Sequence, residues 1–347
     1  MASEHTGPPV VAVFNHKGGV AKTTTACNLA VCLAAGGLRV VLIDLDSQGN
    51  ATASFGHLPL PARGSLDVIT GARGFAETLL PTAFPGVSVL PATAGLRLGE
   101  LELGGQAVDR LRSRLGAETA QFADLVIVDC PPSFGMVTLN ALVAATAVII
   151  PTRPDPFAHE GLSNTWYLIK RMRQEANTAL ATAGILLTMT EAEGSLADGA
   201  LAIRAEFGAM VYDCDIALDP EVARAAQLSL PVAVTDPDGL AGRAYVDAAI
   251  ETLARLARHG GANAALAEGP GVVAVLNTLR DWRAAQPALQ RLPTGGATWM
   301  AAADDRDAPP APAKTAAAPT DGVARPWLVA AFAAGAALGA LVQALVW

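Results

Sequence analysis

The chain has 347 residues, enough for one large domain or two smaller ones. With 52% apolar and 16% charged residues it is neither a disordered chain nor a coiled coil. A net charge of −8 (24 Lys+Arg against 32 Asp+Glu) excludes a broad positive field that would draw it onto nucleic acid, leaving only a local patch.

In chain order, residues 1–9 lack a basic stretch followed by an apolar one and read as a flexible N-terminus without a signal peptide. Short apolar runs then recur at Val10–Asn15, Arg39–Asp44, Val87–Pro91, Leu125–Asp129, Ala147–Pro151 and Gly184–Met189. Most are apolar throughout, as strands covered on both faces are. Helical patterns separate them: Lys22–Ala35 closed by Gly36-Gly37, Leu96–Gly116, Val137–Ala145, His159–Ala176, Leu196–Phe207 and Leu240–Leu256. Strand and helix in alternation predict an α/β domain over residues 10–260, a doubly wound, mostly parallel sheet with helices on both faces. Its four cysteines (Cys27, Cys32, Cys130, Cys214) include no Cys-x-x-Cys pair and fit a reducing cytoplasm.

The pattern changes after residue 260. Residues 261–292 form an accessory helical segment, with Val272–Leu292 as a helix whose Val272, Leu276, Leu279, Trp282 and Leu289 share a face and whose Pro287 interrupts it. Such a stripe is expected to dock on its own domain. Residues 293–326 are rich in Ala and Pro and read as a disordered linker, about 110 Å long if fully extended. The last stretch, Trp327–Trp347, carries no charge and only Gln343 as a strongly polar side chain. As a helix it is about 31 Å long, the thickness of a bilayer's hydrocarbon core, with a tryptophan at each end and Arg325 before it. It is therefore predicted to be a C-terminal hydrophobic helix, a transmembrane tail anchor that leaves the preceding domain at the inner face of the cell membrane.

The most informative stretch follows the first strand: Asn15-His16-Lys17-Gly18-Gly19-Val20-Ala21-Lys22-Thr23-Thr24-Thr25. Gly18 and Gly19 let backbone N–H groups turn inward, and the helix that follows offers its free N–H groups and positive dipole end. Lys22 is placed to reach terminal phosphates and the Thr23 hydroxyl to ligand Mg²⁺. The strict Gly-x-x-x-x-Gly-Lys-[Ser/Thr] spacing is not met, because His16 and Ala21 stand at the two glycine positions. A second lysine, Lys17, lies five residues before Lys22.

The run Lys17–Thr24 closely resembles the deviant Walker A loop of the ParA/MinD family of P-loop ATPases. Leu42–Thr52, with Asp44, Asp46 and Gln48, looks like the family's switch I segment, and Leu125–Ser133 like its Walker B strand and switch II. Ala147–Gly161 also follows the ParA pattern, so that the resemblance covers residues 10–258, nearest to ParA/Soj-type partitioning ATPases. It implies that ATP and Mg²⁺ are the cofactors, cradled by Lys17, Gly18, Gly19, Val20, Ala21, Lys22, Thr23 and Thr24. It also implies that Thr23 holds the metal, with Asp129 in its outer shell and Asp44 near it. Asp46 is the residue chosen to orient the attacking water. Lys17 is expected to cross the interface of an ATP-sandwiched homodimer and touch the nucleotide of the other subunit, an electrostatic contribution comparable with an arginine finger. Ser47 and Ala21, in place of a common proline and glycine, are expected to alter switch stiffness rather than abolish binding.

The resemblance further implies a ParB-like or other activating partner and a cargo. DNA is predicted not to be the surface on which this protein works. Residues 190–260 contain 12 Asp+Glu against 5 Arg, a net of 5 − 12 = −7, where relatives place phosphate-contacting cations. The other reading is a DNA-partitioning ATPase whose apolar tail is a docking or oligomerisation element. A tyrosine kinase on the same scaffold is disfavoured because the tail lacks tyrosine. An iron–sulfur carrier is disfavoured because Cys130 has no companion suited to a shared cluster.

Overall fold

Strand β1 (Val10–Val13) is apolar at every position because it is covered on both sides: Val11 and Val13 enter one core, Val10 and Ala12 the other. The computed structural model describes residues 7–96, 108–258 and 271–287. These belong to one compact unit built on an eight-stranded sheet in the order β3-β4-β2-β5-β1-β6-β7-β8. The remaining strands are β2 (Val40–Asp44), β3 (Leu80–Pro81), β4 (Val87–Leu90), β5 (Leu125–Asp129), β6 (Ala147–Thr152), β7 (Ala181–Thr190) and β8 (Ile216–Ala217). All neighbours pair parallel except β3 with β4. This is the doubly wound sheet the alternation predicted, with helices on both faces, and it is the fold of P-loop NTPases.

One core is covered by the helices Lys22–Ala35, Val232–Thr235, Leu240–Arg258 and Val272–Ala285. The other is covered by Ser65–Thr70, Arg110–Arg114, Met136–Ala144, Ala158–Glu175 and Ser195–Phe207. The two-residue strands β3 and β8 and the short helices Asn50–Ala53, Phe75–Thr78 and Pro220–Gln227 were not foreseen, since elements that short carry no periodicity to read.

Two predicted helices need correction. Leu96–Gly116 is not one continuous helix: Val108 and Asp109 form a turn, the helix runs only over Arg110–Arg114, and residues 97–107 lie outside the described ones. The Val272–Leu292 helix ends at Ala285, with Gln286 extended ahead of Pro287 as a pre-proline residue prefers. Its buried stripe is Val275, Leu276 and Leu279, with Trp282 packed on Phe84 at 5.5 Å between ring centroids, while Val272 faces outward. Arg280 and Arg243 both bind Asp238 and hold its carboxyl down to about 2, fastening this helix to the fold. Among the described residues no helix is long and apolar enough to cross a membrane. The linker and the Trp327–Trp347 helix lie outside the described residues.

A buried arginine organises the far end of the sheet. Gly184 in β7 takes φ +153°, and a Cβ there would sit 2.8 Å from Arg255 Nη1 and 2.7 Å from the Met210 carbonyl. Into that space Arg255 donates to the carbonyls of Ala183 (3.0 Å), Ala209 (3.1 Å) and Val211 (2.7 Å), and to Glu251 Oε1 (2.7 Å), with its guanidinium 4.4 Å from the centre of the Tyr212 ring. Truncating Arg255→Ala strands three carbonyls and a half-buried carboxylate. The expected loss is about 3–5 kcal/mol of folding stability, read as a lowered urea midpoint; a change under about 1 kcal/mol would show that the network is not structural.

Candidate functional site

The carboxyl ends of β1, β2 and β5 meet where the strand order reverses, because β1 lies between β5 and β6 while the chain leaves it for β2. In open parallel sheets such a switch point is where ligands bind. Here the loop after β1 climbs over the sheet and descends into the Lys22–Ala35 helix.

That loop is fixed by side chains distant in sequence. Asn15 donates to the carbonyl of Pro151 (2.8 Å) and accepts on its Oδ1 from Lys17 N–H (3.0 Å) and the Thr165 hydroxyl (3.1 Å). Thr165 in turn accepts from His16 N–H (3.1 Å), and Thr188 donates to the Val20 carbonyl (3.2 Å). Gly19 takes φ +69°, as a glycine can. Ala21 also sits left-handed, at φ +59° and ψ +33°, a position that costs a residue with a Cβ roughly 1–2 kcal/mol. The alanine substitution noted in the sequence therefore puts strain at the last loop residue before the helix.

Lys22 opens that helix and is almost fully buried. Its ammonium donates to the Lys17 carbonyl (2.8 Å), curling back over the loop. Burial lowers its pKa, opposed first by the nearby Asp129 carboxyl and also by Asp46. Thr23 and Thr24 follow, each part-exposed.

Beneath the loop lie two fully buried carboxyls. Asp44 and Asp129 are register partners on β2 and β5. Burial pushes Asp44 up to about 6, although Thr52 and the Asp46 N–H bind it. Burial and the Asp44 charge raise Asp129 well above the carboxylate range, and Thr23 and Lys22 pull the other way. Both Asp44 oxygens are used: Oδ1 accepts from Asp46 N–H (3.1 Å), and Oδ2 accepts from Thr52 N–H (2.8 Å) and its hydroxyl (2.6 Å). Neither oxygen of Asp129 has a hydrogen bond of ordinary geometry. Asp46 is half-buried and its Oδ1 accepts from Gln48 N–H (2.9 Å), closing a turn.

Lys17 points elsewhere. Its ammonium is paired in the same chain with both oxygens of Asp155, and lies 5.9 Å from the centre of the exposed Phe157 ring. The structure thus brings Lys22, Thr23, Asp44, Asp46 and Asp129 close enough to act on one another, and pairs Lys17 with Asp155 instead. Asn15, Thr52, Asp155 and Thr165 were missed. Their side chains meet the site only through the fold, and Asn15 alone had a sequence signal, standing at the strand-to-loop turn.

The arrangement suits a polyphosphate with a hard cation: a helix N-terminus, a buried ammonium, a hydroxyl, and a buried carboxylate lacking partners. Residues 9–182 match a family model described as an AAA domain. The chromosome partitioning protein ParA of Caulobacter vibrioides (strain NA1000 / CB15N) is 40% identical over 251 residues, covering 71% of this chain and 94% of that protein. The sporulation initiation inhibitor protein Soj of Bacillus subtilis (strain 168) is 34% identical over 248 residues, 71% of this chain and 98% of its own. Among solved structures, cobyrinic acid a,c-diamide synthase from Mycobacterium smegmatis with bound ADP and magnesium has a TM-score of 0.57 at 34% identity, covering 64% of this chain and 92% of that one. Apo McdA from Cyanothece, at 21% identity and a TM-score of 0.63 over 71% of this chain and 99% of its own, shares the fold. By its loop, its strand order and relatives matched almost end to end, the chain belongs to the ParA/MinD family of P-loop ATPases.

Proposed function

We propose that this protein binds Mg-ATP at the loop 17–24, pairs with a second copy around the nucleotide and hydrolyses ATP slowly, using that cycle to position or recruit a cellular cargo from the inner face of the cell membrane. The observation that carries the nucleotide reading is the buried Lys22–Asp129 couple, with its ammonium folded onto the loop and its carboxylate unpartnered.

Lys22 and the loop N–H groups bind and orient the phosphates. Thr23 would hold Mg²⁺ directly with Asp129 in its outer shell, and the metal when bound would neutralise phosphate charge. Asp44, expected near the metal, has both oxygens committed to segment 46–52, so its part is to hold that segment in place. Asp46 then stands at the cleft to orient water. Lys17 is the cation that a second copy receives once Asp155 lets it go.

The membrane reading rests on the uncharged run Trp327–Trp347, which gives the cycle a fixed surface. A second reading, partitioning on DNA, is favoured by the name of the Caulobacter relative. Against it, four of the five arginines in 190–260 are bound within the fold: Arg204 to the Tyr212 carbonyl, Arg224 to Glu221, Arg243 to Asp238, and Arg255 in its buried network. Asp219, in the same acidic stretch, caps the Pro220–Gln227 helix and accepts from Ala241 N–H.

Fractionation separates the two readings. Full-length protein should remain on carbonate-washed membranes, a version ending at Pro293 should not, and neither should bind non-specific DNA with or without ATP. Salt-sensitive, ATP-dependent DNA binding by the shorter version would establish the partition reading instead.

Two further outcomes follow from the site. Carboxyls raised by burial stabilise the fold below their ordinary range, and that stability is lost as pH rises through about 6 for Asp44. Without nucleotide or Mg²⁺, the Asp129→Asn variant, which removes the carboxyl that burial and the Asp44 charge hold above its ordinary range, should be more stable than wild type at pH 7.5, and the gap should narrow as pH falls. Mg-ATP should raise the wild-type midpoint more than that of the variant, which keeps Lys22, Thr23 and the loop N–H groups but lacks the Asp129 carboxylate. A variant less stable at pH 7.5 would contradict the buried-charge account. For the dimer, Asp155→Asn frees Lys17 and should lower the protein concentration needed for ATP-dependent dimerisation by roughly threefold in sedimentation velocity, the scale of one partly exposed ion pair. An unchanged or raised concentration would show that Asp155 does not restrain Lys17.

A further inference from the structure

The loop that follows Asp129 runs Cys130-Pro131-Pro132-Ser133-Phe134-Gly135 into the Met136–Ala144 helix. Beyond Cys130, whose N–H donates to the Val13 carbonyl (3.3 Å), it has little to hold it against the phosphate loop. Two of its residues are prolines without an N–H. Among the described residues, Pro131 to Phe134 make no hydrogen bond to residues 15–24.

What spans the gap is aromatic. The Phe134 ring lies flat on the His16 imidazole, with centroids 3.9 Å apart and planes 9° from parallel. A second ring, Phe14, lies at 6.3 Å and 53°. Phe134 is 44% exposed, so solvent exclusion alone is a weak reason for a phenylalanine there. His16 is anchored on the opposite side: its N–H donates to Thr165, which with Lys17 N–H shares the Asn15 oxygen. Its ring Nδ1 is buried without a hydrogen-bond partner, so that atom does not fix the ring, and the stacked Phe134 face is the ring contact it makes. A displacement of Phe134 therefore bears on the residue immediately before Lys17.

We propose that the His16–Phe134 stack is the coupling between the phosphate loop and the loop after Asp129, and that Phe134 is a positioning residue for the hydrolytic step. This rests on the ATPase reading above. The stack sets where residues 130–135 stand relative to Lys22 and Thr23 without touching nucleotide itself. Its loss leaves phosphate binding nearly intact and lets the 130–135 loop wander, so turnover falls while affinity does not.

The experiment is a double-mutant cycle in the full chain: His16→Ala, Phe134→Ala, both together, and the ring-preserving His16→Phe and Phe134→Tyr. Three quantities are measured: kcat and KM for Mg-ATP, affinity for a fluorescent Mg-ATP analogue, and amide exchange of residues 130–136 in nucleotide-free protein. Each alanine variant should lower kcat about five- to tenfold with KM and affinity within twofold. Exchange in 130–136 should quicken in His16→Ala as it does in Phe134→Ala, although His16 lies more than a hundred residues away. The double variant should be no worse than either single one, and the ring-preserving variants should return kcat to within about twofold of wild type. Multiplying effects, an unchanged exchange rate in His16→Ala, or a loss confined to KM would overturn the proposal. If wild type neither binds nor turns over ATP, the function reading fails, whereas the exchange cycle still decides whether the stack couples the loops.

Discussion

Asp44 and Asp129 are register partners on adjacent strands, both fully buried, and that pair of like charges is what the rest of the site answers to. Two carboxylates cannot both ionise freely in such a place. Asp44 is accommodated by Thr52 and the Asp46 N–H, which also pins the segment leaving β2. Asp129 receives no such help and depends on the ammonium of Lys22 and the hydroxyl of Thr23 across the cleft. A buried carboxylate without hydrogen bonds is unfavourable in an empty fold and useful in a loaded one, because a hard cation is the partner it lacks. Local stability is given up where binding restores it.

The phosphate loop is built on the same economy. It is tied to β6, β7 and the Ala158–Glu175 helix through Asn15, Thr165 and Thr188, so its backbone is set by three elements far apart in the chain. Within that frame Ala21 holds a left-handed conformation and Lys22 bends back to a carbonyl of its own loop. Both are states that a bound phosphate would compete with. Lys17, the second cation, is not idle: Asp155 holds it in cis, beside Phe157. The two lysines of the loop are thus restrained by different means, one by a carbonyl and one by a carboxylate.

Beyond the site, several arginines are engaged in the fold. Arg280 and Arg243 converge on Asp238 and clamp the Val272–Ala285 helix, while Arg255 serves backbone carbonyls inside the fold. An arginine used this way contributes packing and hydrogen bonds rather than a field for phosphates. The acidity of residues 190–260 is therefore more than a count, since the cations present are mostly engaged.

The sequence alone determined the class of fold and the place of the phosphate loop. Parallel strands buried on both faces must be apolar throughout, and a glycine turn with lysine and threonine at a helix start has few other uses. Asp44 and Asp46 came from the resemblance of Leu42–Thr52 to the ParA/MinD switch I segment, and Asp129 stood out as well as the end of an apolar strand. The sequence could not supply Asn15's partners, the Asp155 pairing or the His16–Phe134 stack, nor show that Asp44 is saturated while Asp129 is bare. Those depend on which strand lies beside which, and β1 is flanked by β5 and β6, elements more than a hundred residues downstream. Periodicity reports what one element buries; only the assembled sheet decides which side chains of separate elements come within hydrogen-bond reach, and so which charges at this site are satisfied and which await a ligand.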